Sequence, residues 1–182
     1  MKKLIALLPI LIIVAASCRP KGGMDANTGY FSATHFRDSV CIRMPDYDYN
    51  KTLIVDGKAE TISVKGQKIN QVDFVKSFEI NKPAYRNSYS VNTTKIVGGV
   101  AVTYTLNNGL KYPVKFIKYT KLDNGACTIV GNTLENNLIT TIKREIQVDF
   151  TATGFSKLDY KVEDKLTGSS PSITEIKLER VG

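Results

Sequence analysis

The chain has 182 residues, a net charge of +8 at neutral pH, 42% hydrophobic residues, three cysteines and no tryptophan. A chain of this length corresponds to one domain that is long enough to bury a substantial core. Its lysines are spread along the sequence without a run of like charge, so they indicate a solvated surface rather than a nucleic-acid-binding patch.

The first element is an apolar segment behind a basic start. Met1-Lys2-Lys3 is followed by the apolar run from Leu4 to Ala16 and then by Ser17 and Cys18. Basic residues, a short apolar core and small residues are the three parts of a secretory signal. The apolar run has about 13 residues, fewer than the ~20 that cross a bilayer as a helix. The segment therefore predicts an exported protein rather than a retained transmembrane helix.

The residues Ala15-Ala16-Ser17-Cys18 resemble the lipobox of bacterial lipoproteins, in which a small residue precedes a cysteine. Ala15 departs from the large aliphatic residue usual at its position, and cleavage by an ordinary signal peptidase after Ala16 or Ser17 is the alternative. The resemblance implies that residues 1–17 are a signal peptide and that Cys18 carries diacylglycerol. It also implies acylation of the new amino terminus, as by palmitate, and anchoring in the cell envelope. In a Gram-negative host, Arg19 after the cysteine would imply the outer membrane rather than the inner one.

The segment after Cys18 has the composition of a tether. Arg19 to Asn27 contains proline, two glycines and polar residues without periodicity, which is typical of a flexible linker. We therefore expect a lipidated tether over residues 18–27 and a single β-rich domain over residues 28–182.

Two cysteines remain once the resemblance assigns Cys18 to the lipid. Cys41 and Cys127 form an even pair in an oxidising compartment, which favours a disulfide between them. Such a bond would close a loop of about 87 residues and contribute about 4 kcal/mol in the chain-entropy model. The alternative is two separate buried thiols that behave as small apolar side chains.

Short alternating runs separated by turn residues predict antiparallel strands along the domain. Asp56-Gly57 predicts a two-residue type I′ turn that pairs Leu53 with Glu60 and Ile54 with Ala59. Further strands are predicted over residues 71–81, where Phe74, Phe78 and Ile80 would point inward, and over residues 126–130, 157–164 and 173–180.

The run from Val100 to Phe116 surrounds Asn107-Asn108-Gly109 and predicts a hairpin. A three-residue loop with Gly109 left-handed would pair Tyr104 with Tyr112 and Val100 with Phe116, so that one face becomes apolar. Pro113 places the second strand at a sheet edge or at a bulge.

One segment predicts a helix. Asn132-Thr133-Leu134-Glu135 has the form of a capping box, and Leu134, Leu138 and Ile142 follow at helical spacing. The same residues also alternate as a strand would. We predict a short helix over residues 133–143. Together with the alternating runs, this gives an expected fold that is all-β and mainly antiparallel, a single β-sandwich or barrel-like domain with one short helix.

Few residues suggest chemistry. His35 is the only histidine, and the sequence shows no clustered metal ligands and no nucleophile elbow beside it. Asp46 to Asn50 resembles the start of a calcium loop, but Lys51 and Gly57 stand where a glycine and a bidentate acid are needed. An acidic turn is expected there, with Tyr47 and Tyr49 as an exposed binding rim. We predict no catalytic residue, metal or cofactor.

Two functions are consistent with these features. The first is a non-enzymatic envelope lipoprotein whose β domain binds a protein partner or supports an envelope assembly. The second is a carrier of a lipid or other apolar ligand inside a barrel-like cavity. A carrier needs small inward residues, whereas the predicted inward set is large, which favours the first. The expected partners are a membrane, through Cys18, and an envelope protein, but no nucleic acid. The large inward residues are Phe74, Phe78, Tyr104, Tyr112 and Phe116.

Overall fold

The computed structural model describes residues 29–36, 46–67 and 71–181. These residues form nine strands in one antiparallel sheet, which confirms the predicted all-β fold class. None of the described helices is long and apolar enough to cross a bilayer. In chain order the elements are α1 (Ala33–Phe36), β1 (Tyr47–Val55), β2 (Lys58–Gln67), α2 (Gln71–Lys76), a 3-10 helix (Pro83–Tyr85), β3 (Tyr89–Ile96), β4 (Gly99–Leu106), β5 (Val114–Leu122), β6 (Cys127–Asn136), β7 (Thr140–Thr151), β8 (Gly154–Leu166) and β9 (Ser172–Arg180).

The sheet has the strand order β2-β1-β9-β8-β7-β6-β5-β4-β3, so β2 and β3 are its edges. From β3 to β9 each strand pairs with its chain neighbours, and β9 then pairs with β1. Because the ladder is antiparallel, the connections alternate between two ends of the sheet. The Leu138 end holds the turns at 56–57, 107–113, 137–139 and 167–171, and the Val97 end holds those at 97–98, 123–126 and 152–153.

The core lies on one face of the sheet, which we call the inner face. This face is covered by two segments that contain α1 and α2, residues 29–36 and 71–81, which we call the helical segments. Five of their side chains are fully buried: Phe31, Phe36, Val75, Phe78 and Ile80. The Phe36 ring packs against Phe150, with 5.3 Å between ring centroids. Burying each such side chain contributes roughly 1.5–3 kcal/mol. The domain is therefore stabilised by its own helical segments folding onto the sheet.

One carboxylate joins the two helical segments. Glu79 follows α2, and its Oε2 accepts a hydrogen bond of 2.8 Å from the Ala33 N–H at the start of α1. Its Oε1 accepts another of 2.8 Å from the Asn81 N–H. Because Ala33 and Glu79 are far apart in sequence, this contact fixes the position of α1 over the sheet.

The β1–β2 hairpin has the predicted register. Leu53 pairs with Glu60 and Ile54 with Ala59. Asp56 and Gly57 both have positive φ, 47° and 84°, as a type I′ turn requires. The strands predicted over 157–164 and 173–180 are also confirmed, within β8 and β9.

The register predicted for the β4–β5 hairpin is wrong. Tyr104 pairs with Ile117, and residues 107–113 form a longer loop, although Gly109 is left-handed at φ 85° as expected. Tyr112 does not face Tyr104, because its ring packs against Tyr85 with 4.4 Å between ring centroids and its hydroxyl donates to the Ala84 carbonyl. A contact distant in sequence thus decides the loop.

The helix predicted over 133–143 is also wrong, because these residues belong to β6, a turn and β7. The strand alternation prevails since Thr133 points into the core on β6 and β7 pairs along the whole of it. The Asn137 Oδ1 accepts hydrogen bonds from the Ile139 and Thr140 N–H groups, which closes the turn.

The strand predicted over 71–81 is replaced by α2 and an irregular segment. Phe74 and Phe78 are four residues apart, so helical spacing also places both on one side. Phe74 packs on Tyr160, 5.1 Å between centroids. A Cβ at Gly131 would lie 2.7 Å from Phe78 Cδ1, so the missing side chain at Gly131 gives the Phe78 ring its place against β6.

Candidate functional site

A groove of about 500 Å³ lies on the outer face of the sheet, opposite the helices. It crosses β5 to β9. Phe116 and Val130 form an apolar floor beside the amides of Asn132 and Gln147. Charged side chains of both signs surround this floor: Glu145, Lys157, Asp159, Lys161, Glu175 and Lys177.

The charges of the groove are arranged as alternating pairs. Lys157 Nζ lies 2.9 Å from Asp159 Oδ2, and Lys177 Nζ lies 3.6 Å from Glu175 Oε2. Lys161 Nζ approaches the other oxygen of Glu175 at 3.9 Å. Three lysines and three acids therefore line one recess without a large excess of either sign.

Strand register produces this arrangement. The outward residues of β8 alternate in sign, and β9 pairs with β8 so that Asp159 faces Lys177 and Lys161 faces Glu175. On the other side of β8, Lys161 also faces Glu145 of β7. Opposite charges directly across a ladder stabilise a sheet modestly. The hydrogen bond that the Lys157 ammonium donates to Asp159 raises the pKa of Lys157.

The composition of this groove suits contact with another surface. An apolar centre surrounded by polar groups is the usual anatomy of a protein interface. The acids interspersed among the lysines would repel a polyanion such as nucleic acid, whose affinity depends on unopposed basic side chains. Within the described ranges no cluster of His, Cys, Asp and Glu side chains is suited to hold a metal ion.

The predicted anchor and one half of the predicted disulfide lie outside the residues that the structure describes. Cys18 and Cys41 both lie outside the described residues. Cys127 is buried at the start of β6, beside Tyr119. Burial, followed by the contact with Cys127, raises the pKa of the Tyr119 hydroxyl. The disulfide between Cys41 and Cys127 stays a prediction.

The tyrosine rim is corrected by the structure. Tyr47 opens β1 rather than lying in the expected turn, and its hydroxyl donates to the Thr153 carbonyl at 2.6 Å. The Arg180 guanidinium lies 4.3 Å from the centroid of the same ring. Tyr49 is only 8% exposed and belongs to the core. Intramolecular contacts therefore occupy both side chains, which do not form an exposed rim. His35 is exposed near the end of α1.

The groove residues carry a signal that the sequence interpretation did not use. Lys157, Asp159 and Lys161 alternate in sign on the outward side of a strand that was correctly predicted. Glu175 and Lys177 alternate likewise on the next strand. Pairing the two predicted strands as a hairpin would have placed opposite charges together. The sequence pattern did not predict the apolar floor. Strict alternation places Phe116 on the inner face, and the bulge between Val114 and Phe116 in β5 turns it outward.

Comparison of the chain with protein-family models, curated proteins and solved structures finds no match.

Proposed function

We propose that the chain is a membrane-anchored envelope lipoprotein whose β domain binds a protein partner through the outer groove, without catalysing a reaction. The observation that carries the proposal is the apolar floor of Phe116 and Val130 within a rim of paired charges. Such a rim selects a partner with both charges and disfavours a surface of one sign. The anchor is supported by the apolar segment and the lipobox-like residues before Cys18.

A binding surface on the outer face is favoured over a carrier cavity on the inner face. Phe31, Phe36 and Phe78 fill the space where a carrier would hold its ligand, and all three are fully buried. Ligand pockets typically offer 300–1,000 Å³, and the groove that reaches this size lies on the outer face.

The groove is tested by photo-crosslinking in cells that express the full chain. A photoreactive amino acid replaces Gln147, which is exposed in the groove, and a matched control replaces Asn92, which is exposed on edge strand β3. The expected result is a discrete adduct of defined mass from position 147 and none from position 92. Identical adducts from both positions, or none from either, would contradict the proposal.

The anchor is tested separately with Cys18→Ser. The unmodified chain is expected to partition into the detergent phase and to incorporate labelled palmitate, because several acyl chains hold a protein stably at a bilayer. Cys18→Ser is expected to lose the label. Labelling that persists in Cys18→Ser would show that the lipid is not on this cysteine.

A further inference from the structure

Exposed apolar residues gather at the Leu138 end of the sheet. Leu138 is 97% exposed and Ile139 is 67% exposed, both in the β6–β7 turn. Leu166, 53% exposed, ends β8 beside them and pairs with Thr140. We call these three residues the apolar tip. Single exposed apolar residues are ordinary on a protein surface, whereas large contiguous apolar patches mark contacts with proteins or membranes.

Backbone polar groups of the β6–β7 turn have hydrogen-bond partners within the protein. The Ile139 carbonyl accepts hydrogen bonds from the N–H and the hydroxyl of Thr167, at 2.8 and 3.0 Å. The Leu138 carbonyl accepts one from the same hydroxyl at 3.2 Å, and the Ile139 N–H donates to Asn137 Oδ1 at 2.8 Å. Polar backbone groups without partners are costly in lipid. Here Thr167 of the neighbouring turn and Asn137 of the same turn supply these partners.

The described chain also begins at this end. The Asn87 N–H, just before β3, donates to the Tyr30 hydroxyl at 2.8 Å, which fixes residue 30 at the Leu138 end. Residues 1–28, with the apolar segment and Cys18, precede this point. The predicted tether therefore joins the domain nearer to the Leu138 end than to the Val97 end, which favours an orientation with the Leu138 end toward the bilayer.

Basic side chains lie near the apolar tip, together with the exposed acids Glu135 and Asp164. Lys165 stands next to Leu166, Lys143 lies further along β7, and Lys111 lies in the loop at 107–113, all three exposed. Basic side chains around apolar residues suit the anionic surface of a membrane. Lys143 also contacts Glu163, so Lys165 and Lys111 are the nearer candidates for lipid headgroups.

From these observations we infer that the apolar tip inserts into the interfacial layer of a lipid membrane and forms a second membrane contact besides the N-terminal segment. The inference rests on the proposed membrane anchor but not on the groove. With two attachments the domain would have a fixed orientation, and the outer face of the sheet would stand roughly perpendicular to the bilayer.

The absence of tryptophan from the sequence allows a clean test. Leu138→Trp gives the full chain a single tryptophan at the tip. Val97→Trp is the matched control, since Val97 is a fully exposed apolar residue in a turn at the opposite end. Both variants are reconstituted in vesicles of phosphatidylcholine and phosphatidylglycerol, with and without brominated lipid. Ile139→Trp serves as a second reporter at the same turn.

The expected result is a blue-shifted emission for Leu138→Trp and quenching by brominated lipid severalfold stronger than for Val97→Trp. Adding Lys165→Glu should reduce that quenching. Equal quenching of the two reporters would overturn the inference. A blue shift without vesicles that grows with protein concentration would also overturn it, because a second copy would then cover the tip. Neither readout depends on the groove, so failure here is distinguishable from failure of the crosslinking test.

Discussion

The two faces of the single sheet differ in what covers them. The inner face is closed by the chain's own side chains, among them Phe36 and Phe78, which are fully buried. The outer face has an open groove in which an apolar floor is ringed by Lys161, Glu175 and other charges. The difference indicates that the inner face supplies most of the stability, whereas the groove of the outer face, where we propose that a partner binds, is left uncovered.

The largest effect is expected from the same substitution made on each face. Phe36→Ala should lower the free energy of unfolding by about 3–5 kcal/mol, because it empties a fully enclosed site. Phe116→Ala, on the groove floor, should cost clearly less, because Phe116 is only partly buried. Denaturant unfolding monitored by circular dichroism measures both. Equal losses would contradict a core confined to the inner face.

A smaller effect is expected at Gly131. A methyl group there would lie 2.7 Å from the enclosed Phe78 ring, so Gly131→Ala should destabilise the domain by roughly 1–3 kcal/mol through overpacking. Asn132→Ala is the control on the adjacent outward position and should change stability by less than about 0.5 kcal/mol. If Gly131→Ala proved as neutral as its control, the contact between Phe78 and β6 would be wrong.

Two buried tyrosines should respond in opposite directions to the loss of a hydroxyl. Tyr89 Oη donates to the Val114 carbonyl at 2.9 Å, so Tyr89→Phe should cost about 1 kcal/mol. Tyr104 Oη is buried without a hydrogen-bond partner among the described residues, so Tyr104→Phe should be neutral or stabilising by up to about 1 kcal/mol. Equilibrium unfolding at neutral pH compares them, and a clear loss of stability in Tyr104→Phe would show that its hydroxyl has a partner.

Tyr104 and a further buried tyrosine, Tyr119, predict an effect of alkaline pH on stability. Burial raises the pKa of Tyr104 and of Tyr119 above the ordinary value of 10.0. The unfolded chain therefore releases these protons at lower pH than the folded chain. Their stabilising contribution is complete below about pH 10 and decreases as pH rises above it, by at most about 1.4 kcal/mol per pH unit for each group. Unfolding at pH 9 and pH 11 should show a shallower decrease in Tyr104→Phe than in the unchanged chain.

Local patterns predicted the parts of the fold that depend on neighbouring residues. Asp56-Gly57 determines its own turn, and the alternation through Leu158 and Tyr160 determines β8. Distant contacts decided the remainder. Tyr112 packs against Tyr85 rather than pairing with Tyr104. Residues 133–143 form strands because β6 pairs with β7, in spite of their helical spacing. The groove combines charges of a predictable hairpin with Phe116, whose outward direction depends on a bulge.

The most direct test of the difference between the faces is the yield of the crosslinked adduct from position 147 in two further backgrounds. Lys161→Gln combined with Lys177→Gln neutralises two partly exposed groove side chains, whereas Ile80→Ala changes a fully buried side chain of the inner face. We expect the double neutralisation to abolish the adduct while the free energy of unfolding changes by less than about 1 kcal/mol, because exposed ion pairs contribute little to stability. We expect Ile80→Ala to keep the adduct while the free energy of unfolding falls by about 2–5 kcal/mol. An adduct that survives the double neutralisation, or that declines in step with stability in both variants, would contradict a binding role for the outer face.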